Sequence, residues 1–126
     1  MNDTAQLLDF ATRYATAWCS QDPEKVAAFY AKGASISVNG GPPTPILDVT
    51  GEFMREFPDM TVTFDKVELR GDRTAFHWTL IGTYAGTGNH VRISGYELWK
   101  IDNAGLIAES SGHFDAAEYE RQLRGR

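Results

Sequence analysis

Over the first thirty residues the apolar positions recur at helical spacing. Leu7, Leu8, Ala11, Tyr14, Ala15 and Trp18 fall on one stripe, which predicts an amphipathic helix ending near Trp18, with Thr4 as a candidate cap. Ser20-Gln21-Asp22-Pro23 interrupts it. Asp22 followed by Pro23 signals the cap and first turn of a second helix, with Glu24 favourable at the positive end of its dipole and Gly33 as its stop. Val26, Ala27, Phe29 and Tyr30 supply its apolar side. Residues 34–38 alternate as a short strand, and the Gly- and Pro-rich stretch 39–45 reads as a loop. Residues 46–57 suit a helix that stops before Pro58, because the residue preceding a proline avoids helical backbone.

From Met60 onward the period falls to two. Residues 60–69, 74–84, 90–101 and 106–114 read as four strands, joined by turns at Arg70-Gly71-Asp72, Gly86-Thr87-Gly88-Asn89 and Asp102-Asn103-Ala104-Gly105. Residues 116–123 read as a closing helix. Helices followed by an antiparallel meander predict an α+β fold: about three helices packed in a strongly curved, mixed, mostly antiparallel sheet, a cone-shaped barrel with a pocket at its open end. Gly82, Gly95 and Gly112 inside strands predict bulges or tight curvature. Nothing resembling a linker divides residues 1–126, so one domain is expected.

Charge and composition narrow the partners. A net charge of −5 opposes attraction to polyanions, and the only dense basic stretch, Arg121-Gln122-Leu123-Arg124-Gly125-Arg126, reads as cations at a helix C-terminus; no nucleic-acid partner is expected. No apolar run approaches the roughly 20 residues of a membrane helix, so no membrane partner is expected either. Met1-Asn2-Asp3-Thr4-Ala5-Gln6 lacks a secretory pattern, and Cys19, the single cysteine, fits a reducing compartment; the expected location is the cytoplasm.

Strand alternation orders the candidate chemistry. Ile93, Gly95, Glu97 and Trp99 share one face, and Arg92, Ser94, Tyr96, Leu98 and Lys100 the other. The two cations mark the second set as the outer face and send Glu97 inward. A buried carboxyl is costly to ionise, which raises its pKa and suits a general acid or base. With the faces reversed, Glu97 is an ordinary solvent-facing residue. Tyr14 lies on the inward stripe of the first helix and needs a partner, whether backbone, Glu97 or a ligand carbonyl. Trp18, Phe53, Phe57, Trp78, Tyr84, Trp99 and Phe114 all project inward on this reading, and form either an apolar ligand pocket or a solid aromatic core. His77 alternates onto the outer face with Thr79 and Ile81, and His113 with Glu109 and Ser111. His113 and Asp115 are too sparse for a metal, and no metal site is expected. Asp59 reads as a turn residue, with an epoxide-hydrolase-like carboxylate as its alternative; that chemistry needs a second Asp and an Arg, for which only Arg13 and Arg55 stand near.

The run Tyr14, Ala17, Trp18, Asp22, Ala28, Tyr30, Ala31 and Ala34 resembles the opening of the ketosteroid isomerase and nuclear-transport-factor-2-like (NTF2-like) superfamily. Phe57-Pro58-Asp59, Gly82-Thr83-Tyr84-Ala85-Gly86, Gly95-Tyr96-Glu97-Leu98-Trp99 and Gly105-Leu106-Ile107-Ala108-Glu109 resemble its SnoaL-like polyketide cyclase branch. The resemblance implies the cone-shaped fold, a buried small-molecule cavity and dimerisation through the outer sheet face. It implies an acid/base role for Glu97 and an oxyanion-donor role for Tyr14. Two departures count against the best-known chemistries. Ile36-Ser37-Val38-Asn39 has no carboxylate where ketosteroid isomerase carries its base, and Tyr84 stands where cyclases usually carry histidine.

The function expected is therefore a cofactor-independent cyclase, isomerase or dehydratase acting on an apolar carbonyl-bearing ligand, with Glu97 as acid/base and Tyr14 and Tyr84 polarising the oxygen. The alternative is a non-catalytic binding or protein-interaction module. The expected assembly is a homodimer through the convex face bearing Thr79, Ile81, Thr83, Tyr96 and Leu98, weakened when His77 and His113 take up protons.

Overall fold

A computed structural model describes residues 4–125; Met1, Asn2, Asp3 and Arg126, which entered the readings of the first segment and of the basic tail, lie outside the described residues. The elements in chain order are α1 (Thr4–Trp18), α2 (Pro23–Ala27), β1 (Ser35–Val38), β2 (Thr44–Pro45), α3 (Ile46–Glu56), β3 (Thr61–Arg70), β4 (Arg73–Thr83), β5 (His90–Ile101), β6 (Ile107–Phe114) and α4 (Ala116–Arg124).

Most of the expected stripe of α1 is buried: Leu7, Ala11, Tyr14, Ala15 and Trp18 face the core and Phe10 joins them, whereas Leu8, one residue round the helix from Leu7, is 42% exposed, and Thr4 is already helical and does not cap it. Asp22 caps α2 by accepting the Glu24 N–H at 3.0 Å, with Pro23 in the first turn. This helix does not run to Gly33. After Ala27 the chain leaves helical geometry to join the sheet: Tyr30 bridges Ile107, the Ala31 N–H donates to Ile107 O at 2.8 Å, and the Ile107 N–H to Phe29 O at 2.9 Å. A tertiary bridge outcompetes the local helix signal and swings Tyr30 into the core.

Six strands form one sheet in the order β2-β1-β6-β5-β4-β3, with β1 parallel to β6 and every other pair antiparallel. The two-residue β2 comes from the stretch expected to be loop; Asn39 (φ 49°) and Gly40 (φ 77°) turn the chain so that it pairs back on β1. Among the described residues four helices accompany the sheet, one for each helical segment read in the sequence. The register shifts fall at Phe64/Lys66 and Lys100/Ile101, not at the strand glycines. Gly95 serves close packing instead: a Cβ there would lie 2.3 Å from the His113 carbonyl oxygen and 2.7 Å from the Trp78 ring.

Asp115 caps α4, accepting the Glu118 N–H at 3.0 Å, and Gly125 (φ 75°) ends it. The basic tail is largely internally paired, Arg121 with Glu118 at 2.6 Å and Arg124 with Glu120 at 3.6 Å. Gln122 docks the helix by imitating a strand residue: its Oε1 accepts the Arg92 N–H at 2.6 Å and its Nε2 donates to Arg92 O at 2.9 Å. No α4 side chain is fully buried, so this helix borders the open end of the cone rather than filling it. Among the described residues no helix is long and apolar enough to cross a membrane.

Candidate functional site

Alternation along β5 places Glu97 between Gly95 and Trp99 on the concave face, and the side chain is 5% exposed. Four donors converge on its Oε1: Tyr14 Oη at 2.9 Å, Ser110 Oγ at 2.9 Å, Trp99 Nε1 at 3.0 Å and Tyr30 Oη at 3.2 Å. The Tyr30 hydroxyl also lies 2.9 Å from Tyr14 Oη, so its proton divides between the two acceptors. Oε2 makes no hydrogen bond yet is not sealed off. Glu97 lines a partly open apolar chamber, and Oε2 is the oxygen left to face it.

The electrostatics follow from this packing. Burial raises the Glu97 pKa, and the four donors, led by Trp99 and Tyr14, pull it part of the way back. Burial, and next the Glu97 charge, hold Tyr14 and Tyr30 well above the ordinary phenol value, so both remain neutral donors. Because Oε1 is saturated, a proton taken up by Glu97 resides on Oε2. The carboxyl is thus built to present either a lone pair or an O–H to the chamber.

The chamber holds about 60 Å³, is partly open, and is apolar except for Glu97. Of the expected pocket aromatics, Trp18, Phe53, Trp78 and Phe114 line it. Phe57 and Trp99 do not; both are fully buried, Trp99 stacked 4.9 Å from Phe76 and Phe57 packed against Tyr84 at 5.8 Å and Tyr119 at 6.4 Å. Tyr84 is also outside the chamber, at the end of β4, which removes it from the oxygen-polarising role. Tyr14 is in the cluster but its hydroxyl is spent on Glu97 and Tyr30, so it holds the carboxyl rather than a ligand oxygen. Val38 stands in the chamber wall, in the strand segment where ketosteroid isomerase would carry its base, and supplies no acid/base group.

Sequence reasoning missed Tyr30 as a partner of Glu97. It was assigned to a helix that the sheet cuts short. Ser110 alternates inward with Gly112 and Phe114 along β6, but nothing local marks it as a donor. Trp18 Nε1 is buried and directed toward the Tyr14 hydroxyl, without closing a hydrogen bond of ordinary geometry.

The remaining candidates are engaged elsewhere. Asp59 accepts the Thr83 N–H at 2.7 Å and the Thr83 hydroxyl at 2.8 Å, which hold its carboxyl below the usual range and tie the segment before β3 to the end of β4. Arg13 pairs with Asp9 at 2.9 Å, so the acid–arginine set of an epoxide hydrolase is not assembled. His77 lies on the outer face, 2.6 Å from Glu68, and His113 stacks on Tyr96 at 4.9 Å. Among the described residues no three His, Cys, Asp or Glu side chains gather as a metal site would require.

The SnoaL-like domain model matches residues 11–110. A search of curated proteins finds no match. Among solved structures, the chain is similar to IdmH of Streptomyces antibioticus, proposed to be a polyketide cyclase, at 25% identity and a TM-score of 0.76, covering 94% of this chain and 99% of IdmH. It is similar to AclR of Streptomyces galilaeus, proposed to be a hydroxylase, at 15% identity and a TM-score of 0.81, covering 98% and 84%. It is also similar to a Catenulispora acidiphila DSM 44928 protein of ketosteroid isomerase-like fold, solved with trimethylamine, at 15% identity and a TM-score of 0.80, covering 92% of each chain. With its curled sheet, its internal chamber and a match spanning most of its length, the chain belongs to the SnoaL-like family, small-molecule-binding proteins of the NTF2-like, ketosteroid isomerase-like fold.

Proposed function

We propose that this chain is a cofactor-independent acid/base catalyst, a cyclase, isomerase or dehydratase, acting on an apolar carbonyl-bearing molecule in the cytoplasm. One observation carries the reading. Glu97 is the only titratable residue lining the chamber, and its hydrogen bonds are all gathered on one oxygen, leaving the other for chemistry. Ionised, Oε2 removes a proton from the carbon beside a carbonyl, and the electron pair moves onto the carbonyl oxygen. The proton then returns from Oε2. Delivered to another carbon, it completes an isomerisation; delivered to a departing hydroxyl, a dehydration. In a cyclisation the enolate carbon attacks a second carbonyl, and that oxygen takes the proton. The donors on Oε1 stay fixed throughout, so no reorganisation accompanies each transfer. Tyr14 and Tyr30 act as positioning residues.

Glu97→Gln tests this. The amide oxygen can take the place of Oε1, so folding and ligand binding should persist while turnover falls about a hundredfold or more. The second reading, a non-catalytic binding or protein-interaction module, draws on the absence of any other titratable group in the chamber wall; no turnover in either the parent protein or Glu97→Gln supports it, whereas unaltered turnover in Glu97→Gln removes the role of Glu97.

We also propose a homodimer through the outer sheet face, where Ile81, Tyr96 and Leu98 are only half-buried. Thr79 belongs to this face but is buried, donating to Asp65 at 2.6 Å and lying 2.7 Å from Ser94 Oγ. A sedimentation mass equal to one chain at micromolar concentration rejects the dimer. Glu68 already faces His77, so His113 is the group whose protonation would place an unpaired cation there.

A further inference from the structure

Gly82, Gly95 and Gly112 each lie inside a strand, where glycine marks a bulge or bend, a crowding neighbour, or the close approach of a ligand. Two of the three have a crowding neighbour. At Gly95 the His113 carbonyl and the Trp78 ring leave no room for a Cβ. At Gly82 a Cβ would lie 3.2 Å from Phe57 Cδ1 and 3.3 Å from Asp59 Oδ1. Gly112 is different. Its register is unbroken on both sides, with Val38 opposite on β1 and Glu97 opposite on β5, and its φ is outside the left-handed region. A Cβ there would meet Ile36 Cδ1 at 3.8 Å, Glu97 Cγ at 3.9 Å and the Ser37 carbonyl oxygen at 3.9 Å, all ordinary van der Waals contacts. Backbone and neighbours would therefore accept alanine. Glycine in a strand interior weakens it through the chain entropy lost on folding, and at this position nothing in the packing requires that loss.

What glycine provides here is space. Gly112 lines the chamber, and so do Ile36 and Glu97, the two side chains a Cβ would touch. A methyl group at this position would stand in the chamber, against the side chain that carries the carboxyl. In a space of about 60 Å³ that is a substantial loss.

Resting on the reading that Glu97 faces a bound ligand, we propose that Gly112 is a specificity-determining residue of the site. Its missing side chain is the space in which the reacting end of the ligand lies beside Glu97. Glycine admits a branched or cyclic end there; a larger residue would admit only a narrow one. Gly112 offers no group to the chemistry and acts through shape alone.

Acetone and cyclopentanone, one narrow and one cyclic, are the probes, titrated at pH 7.5 against the indole N–H resonances of Trp18 and Trp78, both in the chamber wall. The parent protein should bind cyclopentanone more tightly than acetone. Gly112→Ala should weaken cyclopentanone about tenfold or more and acetone about threefold or less, as one extra carbon in an apolar pocket does. The same variant should melt about 2 °C or more above the parent, because it restricts the unfolded chain without straining the folded one. A glycine kept for structure gives the opposite pattern, a lower melting temperature with both ketones affected alike. That pattern, unchanged discrimination between the ketones, or no binding of cyclopentanone by the parent overturns the proposal. Exchange of the ketone α-hydrogens in D2O, measured separately, distinguishes it from the catalytic reading: Oε2 takes a proton from the α-carbon, the electron pair moves onto the carbonyl oxygen, and a deuteron returns. Exchange lost in Glu97→Gln, with discrimination indifferent to Gly112→Ala, leaves Glu97 as the acid/base and removes the role of Gly112. Discrimination that responds to Gly112→Ala, in a protein that exchanges no α-hydrogen, leaves Gly112 standing and removes the catalytic role.

Discussion

Glu68 and Glu97 lie on opposite faces of one sheet, and the contrast between them explains why only one is a candidate for chemistry. Glu68 is on β3, 42% of its side chain is exposed, and His77, Lys66 and Arg70 surround it. The His77 hydrogen bond comes first among the causes that hold its carboxyl below the ordinary range. Glu97 has no cation within ion-pair distance and is buried, so desolvation dominates and the shift runs upward. The surroundings differ in kind as well. The outer face carries a chain of polar and aromatic contacts, in which Arg70 lies 5.1 Å over Tyr96 and Tyr96 stacks on His113. The inner face gathers four neutral donors on one oxygen. A carboxylate held by cations is spent on structure, whereas one held by neutral donors keeps a protonation equilibrium that chemistry can use.

The largest expected effect breaks the contrast at its functional end. Glu97→Gln should lower turnover about a hundredfold or more, while Glu68→Gln changes it by about twofold at most. Equal losses would mean that both act through stability, and thermal melts of the two variants would reveal it.

Next comes the outer face as an interface. Tyr96→Glu would bury a carboxylate in the proposed dimer contact and should raise the dimer dissociation constant about thirtyfold or more, read by sedimentation. An unchanged profile would assign the face to solvent.

A smaller effect sharpens the inner cluster. Tyr14→Phe and Tyr30→Phe each remove a donor from the carboxylate, at a cost of about 1 kcal/mol in unfolding free energy. With fewer donors favouring the charged form, the Glu97 pKa rises further, so the acidic limb of catalysis, along which Glu97 must ionise, should move to higher pH in either variant. A pH–rate profile identical to the parent's would show that these hydroxyls only pack.

The smallest effect is the dependence of stability on pH, where the two carboxyls have opposite signs. Glu97 has a raised folded-state pKa, so its contribution is complete below its unfolded value of about 4.3 and is lost as pH rises through the folded value. Glu68 has a lowered one, so its contribution is present above about 4.3 and is lost as pH falls. Replacing Glu97 by Gln should therefore make stability decline less on going from pH 4 to pH 8. Replacing Glu68 by Gln should narrow the loss on acidification. Denaturant midpoints across that range check both.

Local periodicity was enough to determine a good deal. The change of period near Met60 announced helices followed by a meander, Asp22-Pro23 located the start of α2, and two cations on the alternate face of β5 turned Glu97 inward. These signals are readable because each depends on neighbours within a few residues. Their resemblance to the SnoaL-like branch pointed to the family. The composition of the site was decided elsewhere. Tyr30 reaches Glu97 only because β6 captures the segment after α2, a contact between residues far apart in the chain that overrides a sound helix signal. Ser110 arrives from the neighbouring strand, through a register that no single strand's pattern contains. The small size of the chamber, with Phe53 in its wall and Phe57 and Trp99 packed into the core instead, follows from how side-chain volumes meet when the sheet closes. Alternation along a strand says which way a side chain points; what it meets there depends on strand order and packing, which are properties of the whole folded chain.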